Sequence, residues 1–188
     1  MGSKGYIVGE GYEMPRPKFQ PVQWSKQVWN NWCIPKHQFV GWLIARQALQ
    51  LKEKLFALGI TADDTCILCG SDSETAVHLF QKCRYSSKIM DLLAQMGGFV
   101  LPQGDLLNWL GQMQGSALRK GILLCLVQAI YCQIWIQRNK ARIEGCILRP
   151  EIAFKLVIRE VQLWVRSKIQ PCIDIRDREW LVRFHMIM

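Results

Sequence analysis

Residues 116–144 read SALRKGILLCLVQAIYCQIWIQRNKARIE and are followed by Gly145. The stretch opens on a serine that can cap a helix and closes on a glycine suited to the position just past a helix end. Between them, residues 122–136 are apolar nearly all round, interrupted only by Gln128 and Gln133. A helix apolar on every side must be surrounded by protein or by lipid. A bilayer span needs about 20 apolar residues, and this run has 15. The segment therefore predicts the central helix of a bundle, with Trp135 in its core.

The neighbouring segments fit around that helix. Pro150 suits the first turn of a second helix, in which Phe154, Val157, Ile158, Val161, Trp164 and Val165 form one face. Lys155, Arg159, Gln162 and Arg166 form the other, and Pro171 marks the end. In the tail, Trp180, Val182, Phe184, Met186 and Met188 alternate with other residues, the period of a strand or of an extended packing arm. On the N-terminal side, Gly97-Gly98 and Pro102 break the chain, and Asp105 can cap a short helix over 106–110.

Further upstream, a helix is expected over 76–95, preceded by a cysteine- and aspartate-rich loop over 61–84. Pro35 divides two earlier helices, because it drives Ile34 out of the α region. The first starts at Ser25 and carries Val28, Trp29 and Trp32; the second runs to about Leu51 with Phe39, Trp42, Leu43, Arg46 and Leu49. A short helix over 52–58 ends at Gly59. Three prolines and four glycines make residues 1–22 an extended arm, with a short strand at 6–8. The expected architecture is a mainly α bundle with a metal-stabilised loop–helix and short strands at the termini. Its parts are the arm at 1–22, a region at 23–95 and a helical region at 96–188 packed on it.

A chain of 188 residues, 50% apolar with eight tryptophans, is long enough for one core and too apolar for disorder. Its net charge of +9 favours polyanionic partners. The surplus is uneven: residues 1–60 hold 8 basic and 3 acidic groups, 61–100 hold 3 and 5, and 101–150 hold 6 and 2. The first 20 residues contain no apolar run of secretory type. A reducing intracellular compartment, nucleus or cytoplasm, is therefore expected, and clustered cysteines become metal or redox candidates.

One cluster carries chemistry. Cys66 and Cys69 are three residues apart, His78 follows after eight more and Cys83 after another four. A pair at this spacing can turn both thiolates toward one tetrahedral ion, and His78 and Cys83 complete a closed set of four ligands for zinc. About 0.3 such cysteine pairs arise by chance at this cysteine content, so the downstream His and Cys make the pattern specific. A redox pair would follow a strand in a βαβ unit, which is missing here. Five residues of straight helix rotate by about 140°, so the helix must begin, bend or tighten between His78 and Cys83. Cys125 and Cys132 read as small core residues.

The run Val28-Trp29, Pro35-Lys36, Phe39, Trp42-Leu43, Arg46, Leu55, Gly59-Ile60, Asp64, Cys66-x-x-Cys69, Glu74, His78-Leu79-Phe80 and Cys83 resembles the zinc-binding domain of plant non-LTR retrotransposon reverse transcriptases. The resemblance covers about residues 5–90. It extends more loosely through Ile134-Trp135 and Arg138-Asn139, and makes 23–95 the zinc-binding unit. It implies a zinc-stabilised accessory domain associated with nucleic acid, with Cys66, Cys69, His78 and Cys83 as ligands. Asp63-Asp64 lacks the aromatic neighbour and hairpin of a polymerase signature and more simply shapes the turn into Cys66. His37 and His185 have no partner at motif spacing, and no phosphate-binding glycine loop occurs, so no enzyme is expected.

Two functions compete. In the first, basic helix faces formed by Lys155, Arg159 and Arg166, and by Arg138 and Arg142, contact phosphates of DNA or RNA without reading sequence. In the second, the chain is a retrotransposon-derived adaptor in a larger protein assembly, with the apolar tail as a partner surface.

Overall fold

The computed structural model describes residues 22, 24–102, 112, 114–169 and 173–186. The arm at 1–22, apart from Val22, and the short helix at 106–110 lie outside them. Helices α1 (Ser25–Val28), α2 (Pro35–Ala45) and α3 (Lys52–Ala57) come first. A π turn (His78–Lys82) follows, then α4 (Arg84–Gly97), α5 (Ala117–Glu144), α6 (Pro150–Lys168) and α7 (Ile175–Arg183). No strand occurs among the described residues; Thr65 and Ser73 form one isolated antiparallel bridge.

The centre is α5, packed by α2, α6 and α4. Ser116 caps it, its Oγ accepting the Arg119 N–H at 3.2 Å, and Gly145 ends it in the left-handed region with φ 67°. Ile122, Leu126, Ile130 and Ile134 are fully buried along its length. By length and composition α5 could cross a bilayer, but 72% of its most apolar window is buried inside the protein. Gln128, one of the two polar interruptions, donates its amide to the carbonyls of Gln27 and Val28 and so fastens α1 to α5. Cys125 and Cys132 are buried, as expected of core fillers.

The structure corrects several expectations. Trp135 is only half-buried; one residue on an α-helix is a turn of about 100°, and its neighbour Ile134 takes the core position. The tail is a helix, not a strand or extended arm. Asp174 caps α7 by accepting the Arg176 N–H at 2.8 Å, and Asp177, Leu181 and Phe184 are buried at helical spacing while Val182 is exposed. The α1 helix is a single turn. Helix α2 stops at Ala45 rather than near Leu51, because Gln47 turns left-handed (φ 52°), and Leu49 and Leu51 drop into the core from the loop. His37 does have a carboxylate neighbour, Glu160 of α6 at 3.4 Å; burial holds its pKa down at about 4.

Gly121 marks a close approach. A Cβ there would lie 2.2 Å from Cδ1 and 2.5 Å from Cγ of Trp32. The Trp32 backbone is itself held, its carbonyl accepting the Trp164 indole N–H at 2.8 Å. Replacing a mid-helix glycine by alanine ordinarily stabilises by up to about 1 kcal/mol. Here overpacking outweighs that gain. Gly121→Ala is expected to destabilise by about 1–2 kcal/mol net in a denaturant melt.

Candidate metal centre

The loop before α4 is folded by its own polar groups. Asp63 accepts the Thr65 N–H at 2.9 Å and pairs with Lys52 Nζ at 2.5 Å, which is the turn-shaping role expected of it. The Cys66 N–H donates to the Asp72 carbonyl and the Gly70 N–H to the Cys66 carbonyl, both at 2.8 Å. Gly70 closes the knuckle at φ 67°, a conformation glycine adopts without strain. Cys66 and Cys69 therefore stand on one tight turn.

The second pair is placed by a different device. The Cys83 N–H donates to the His78 carbonyl at 2.6 Å, five residues back. The chain thus widens into a π turn rather than tightening, one of the departures from a straight helix that the spacing required. Such a turn brings residues five apart nearly above one another, so His78 and Cys83 share a face. Cys83 then turns extended, at ψ 129°, so the helix expected over 76–95 is broken there and α4 starts afresh.

One ligand atom from each of Cys66, Cys69, His78 and Cys83 lies within 4.8 Å of the others. Cys66 Sγ is 3.9 Å from Cys83 Sγ, and Cys69 Sγ is 3.2 Å from His78 Nε2. Zinc–sulfur bonds of about 2.3 Å in a tetrahedron place two sulfurs about 3.8 Å apart. The donors fit one such ion. A hydrogen bond from Cys66, with the Ser86 and Tyr85 N–H groups in the first turn of α4, pulls the Cys83 thiol down to about 5 despite burial. The same bond and burial push Cys66 up. His78 Nδ1 faces Asp72 Oδ2 at 3.6 Å, a carboxylate placed to orient the ring while Nε2 faces the centre.

Residues 6–89 match the family model described as zinc-binding in reverse transcriptase. Over that segment the chain is similar to reverse-transcriptase zinc-binding domains. No curated protein and no solved structure matches the chain. All four donors lie inside the matched segment, whereas α5, α6 and α7 lie beyond it.

The zinc-binding domain is nevertheless joined to α5 through a buried ion pair. Glu74 and Arg138 are 0% and 1% exposed. Glu74 Oε1 accepts from Arg138 Nη2 at 2.6 Å, Arg138 Nε at 2.9 Å and the Lys52 N–H at 3.0 Å. Its Oε2 lies 3.4 Å from the Ile67 N–H, beside the metal knuckle. One carboxylate thus ties the knuckle, the start of α3 and the central helix. Spacing gave no sign of this pairing, because the partners are 64 residues apart.

Of the expected basic faces, the structure keeps one and divides the other. Lys155, Arg159 and Arg166 are exposed in one row on α6, although Arg166 Nε donates to the Met186 carbonyl at 3.0 Å. Arg142 is exposed, but Arg138 is buried against Glu74 and out of reach of any phosphate. The two arginines of α5 therefore form no common surface.

Proposed function

We propose that this chain is a zinc-stabilised, non-catalytic nucleic-acid-binding part of a retroelement-derived protein of the plant non-LTR type, acting in the nucleus or cytoplasm. The reading is supported above all by the row on α6. Lys155, Arg159, Gln162 and Arg166 fall within about 60° of one another around the helix. Lys155 and Arg159, together with Glu151 and Gln162, also line a groove of about 460 Å³ between α4 and α6 whose other walls are Leu92, Met96, Phe154 and Ile158. Zinc is the ion because three thiolates and an imidazole at tetrahedral spacing suit it and leave no open coordination position. The metal centre in this reading is a scaffold. Its own segment is acidic, and three thiolates on zinc add a further charge of about −1.

The adaptor reading keeps little of the surface first expected for it: Phe184 and Met186 of the tail are buried, Trp180 is half-buried, Val182 is exposed and Met188 lies outside the described residues. It keeps another: Ile152, Leu156 and Leu163 are exposed along α6 beside the basic row. A salt series separates the two. Replacing Lys155, Arg159 and Arg166 with glutamine is expected to weaken binding to unrelated duplexes alike. The log–log salt slope should flatten by about 2, near one per freed contact, since Arg166 is partly engaged at Met186. Wild type that binds no nucleic acid at low salt moves the assignment to the adaptor.

A further inference from the structure

We infer that the outer face of α2, made by Phe39, Trp42 and Arg46 with Lys36 on its flank, is a stacking platform for unpaired bases of single-stranded nucleic acid. The inference rests on the nucleic-acid reading above but uses a different surface. Its starting point is an inverted helix. At about 100° per residue, His37, Val40 and Gly41 face α5, while Phe39, Trp42 and Arg46 cluster on the opposite side. The first three are buried. The outward side of a surface helix is normally polar, yet here it carries two aromatic rings. Phe39 is 52% exposed and Trp42 half-buried, with ring centroids 5.7 Å apart and planes tilted by 33°.

Charge indicates what such rings would meet. Residues 14–52 carry six basic side chains and no aspartate or glutamate. Lys36 on α2 and Arg46 at its C-terminal cap are both exposed, one before and one after the rings. Glu160 meets Lys36 at 2.5 Å and His37 at 3.4 Å, on the flank away from Trp42, and Glu53 shares a pocket with Ile44 and Gln47 at the C-terminal end of α2. Lys36 and Lys52 of this stretch are paired with Glu160 and Asp63, but an exposed aromatic pair followed by the exposed Arg46 suits a partner that offers flat apolar faces joined by negative charge. Unpaired nucleotides offer both, because every base has a π face and every linkage a phosphate. A duplex hides its base faces and offers phosphate alone. The platform is therefore selective for strandedness and indifferent to sequence. Trp29, just past α1, which packs on α2, is also about half exposed.

The test uses the full metal-loaded chain and fluorescence anisotropy on labelled oligothymidylate and oligouridylate of about 20 nucleotides, beside a duplex of equal length. Wild type is expected to prefer the single strands. Phe39→Ala should lower single-strand affinity by roughly 5- to 150-fold, the range for losing one base–aromatic stack. Its salt slope and duplex affinity should not change. Phe39→Trp, which keeps a ring, should restore binding, and this guards against a merely structural effect. Arg46→Gln should instead flatten the single-strand salt slope by about 0.7. If wild type binds nucleic acid but Phe39→Ala binds single strands as tightly as wild type, the platform is overturned and the α6 reading stands. If wild type binds no nucleic acid, both fall and the aromatic face belongs to a protein partner.

Discussion

Removing the ion unfolds the segment 61–83 and loosens α4. That is the result expected when the protein is stripped with a chelator, and Cys69→Ser should reproduce it. A structural zinc site contributes on the order of 10 kcal/mol or more in small zinc-folded peptides, comparable to the whole stability of a typical domain. The knuckle, the Thr65–Ser73 bridge, the Glu74 N–H to Asp64 carbonyl bond and the Glu74 carboxylate tie the loop at its edges, whereas the ion is what would join the knuckle to His78 and Cys83. Without the ion, Cys66 and Cys83 remain buried side by side, and the bond between them together with burial holds the Cys66 thiol up, which opposes the thiolate that metal binding needs there. The damage should spread in one direction. Cys83 is both a ligand and the residue before α4, so the first turn of α4 loses its anchor. The core of α5 should stay folded. Elemental analysis of protein made without chelator should return one zinc per chain. Hydrogen exchange after stripping should speed up at Leu68, Cys69 and Ser86 far more than at Leu126 or Ile130. Unchanged exchange at the knuckle would dismiss the site.

The fold was legible in the sequence wherever one element carried its own signals. The central helix has its serine cap, its stop glycine and a run too apolar for a surface, and each was found where spacing placed it. Pro150 likewise opens α6. The four donors were legible because ligand type and spacing are local. The tail was misread for an instructive reason. Trp180, Val182, Phe184 and Met186 do alternate, but Leu181 between them is fully buried, so the alternation never separated inside from outside. Asp174, an N-cap residue by type, was the missed cue. The π turn leaves no local sequence mark beyond the odd distance from His78 to Cys83. What spacing cannot express is pairing across the fold. Glu74 was visible only as a landmark of the family resemblance, and Arg138 passed for a surface cation at the basic end of a helix.

The buried pair gives the second large effect. Arg138→Met is expected to cost about 3–5 kcal/mol, because removing one partner leaves the other as an unpaired charge in the interior. Glu74→Leu should cost at least as much, since it also strips the acceptor from the Lys52 N–H and deprives the Arg138 guanidinium of its carboxylate. In the double variant both charges are gone, and most of the Coulombic loss should be recovered. Recovery stays partial, because the Lys52 and Ile67 amides still lack their acceptor. A strongly non-additive cycle is therefore expected in denaturant melts. The same variant separates structure from function. Arg138 already has its partner inside the protein, so Arg138→Met, studied where it remains folded, should show the wild-type salt slope for nucleic acid. Arg142→Gln, four residues on and exposed, is the proper comparison, and any slope change should appear there. A flattened slope in Arg138→Met with normal stability would mean that the guanidinium leaves Glu74 to meet phosphate. The tie between the zinc-binding domain and α5 would then be a switch rather than a fastening.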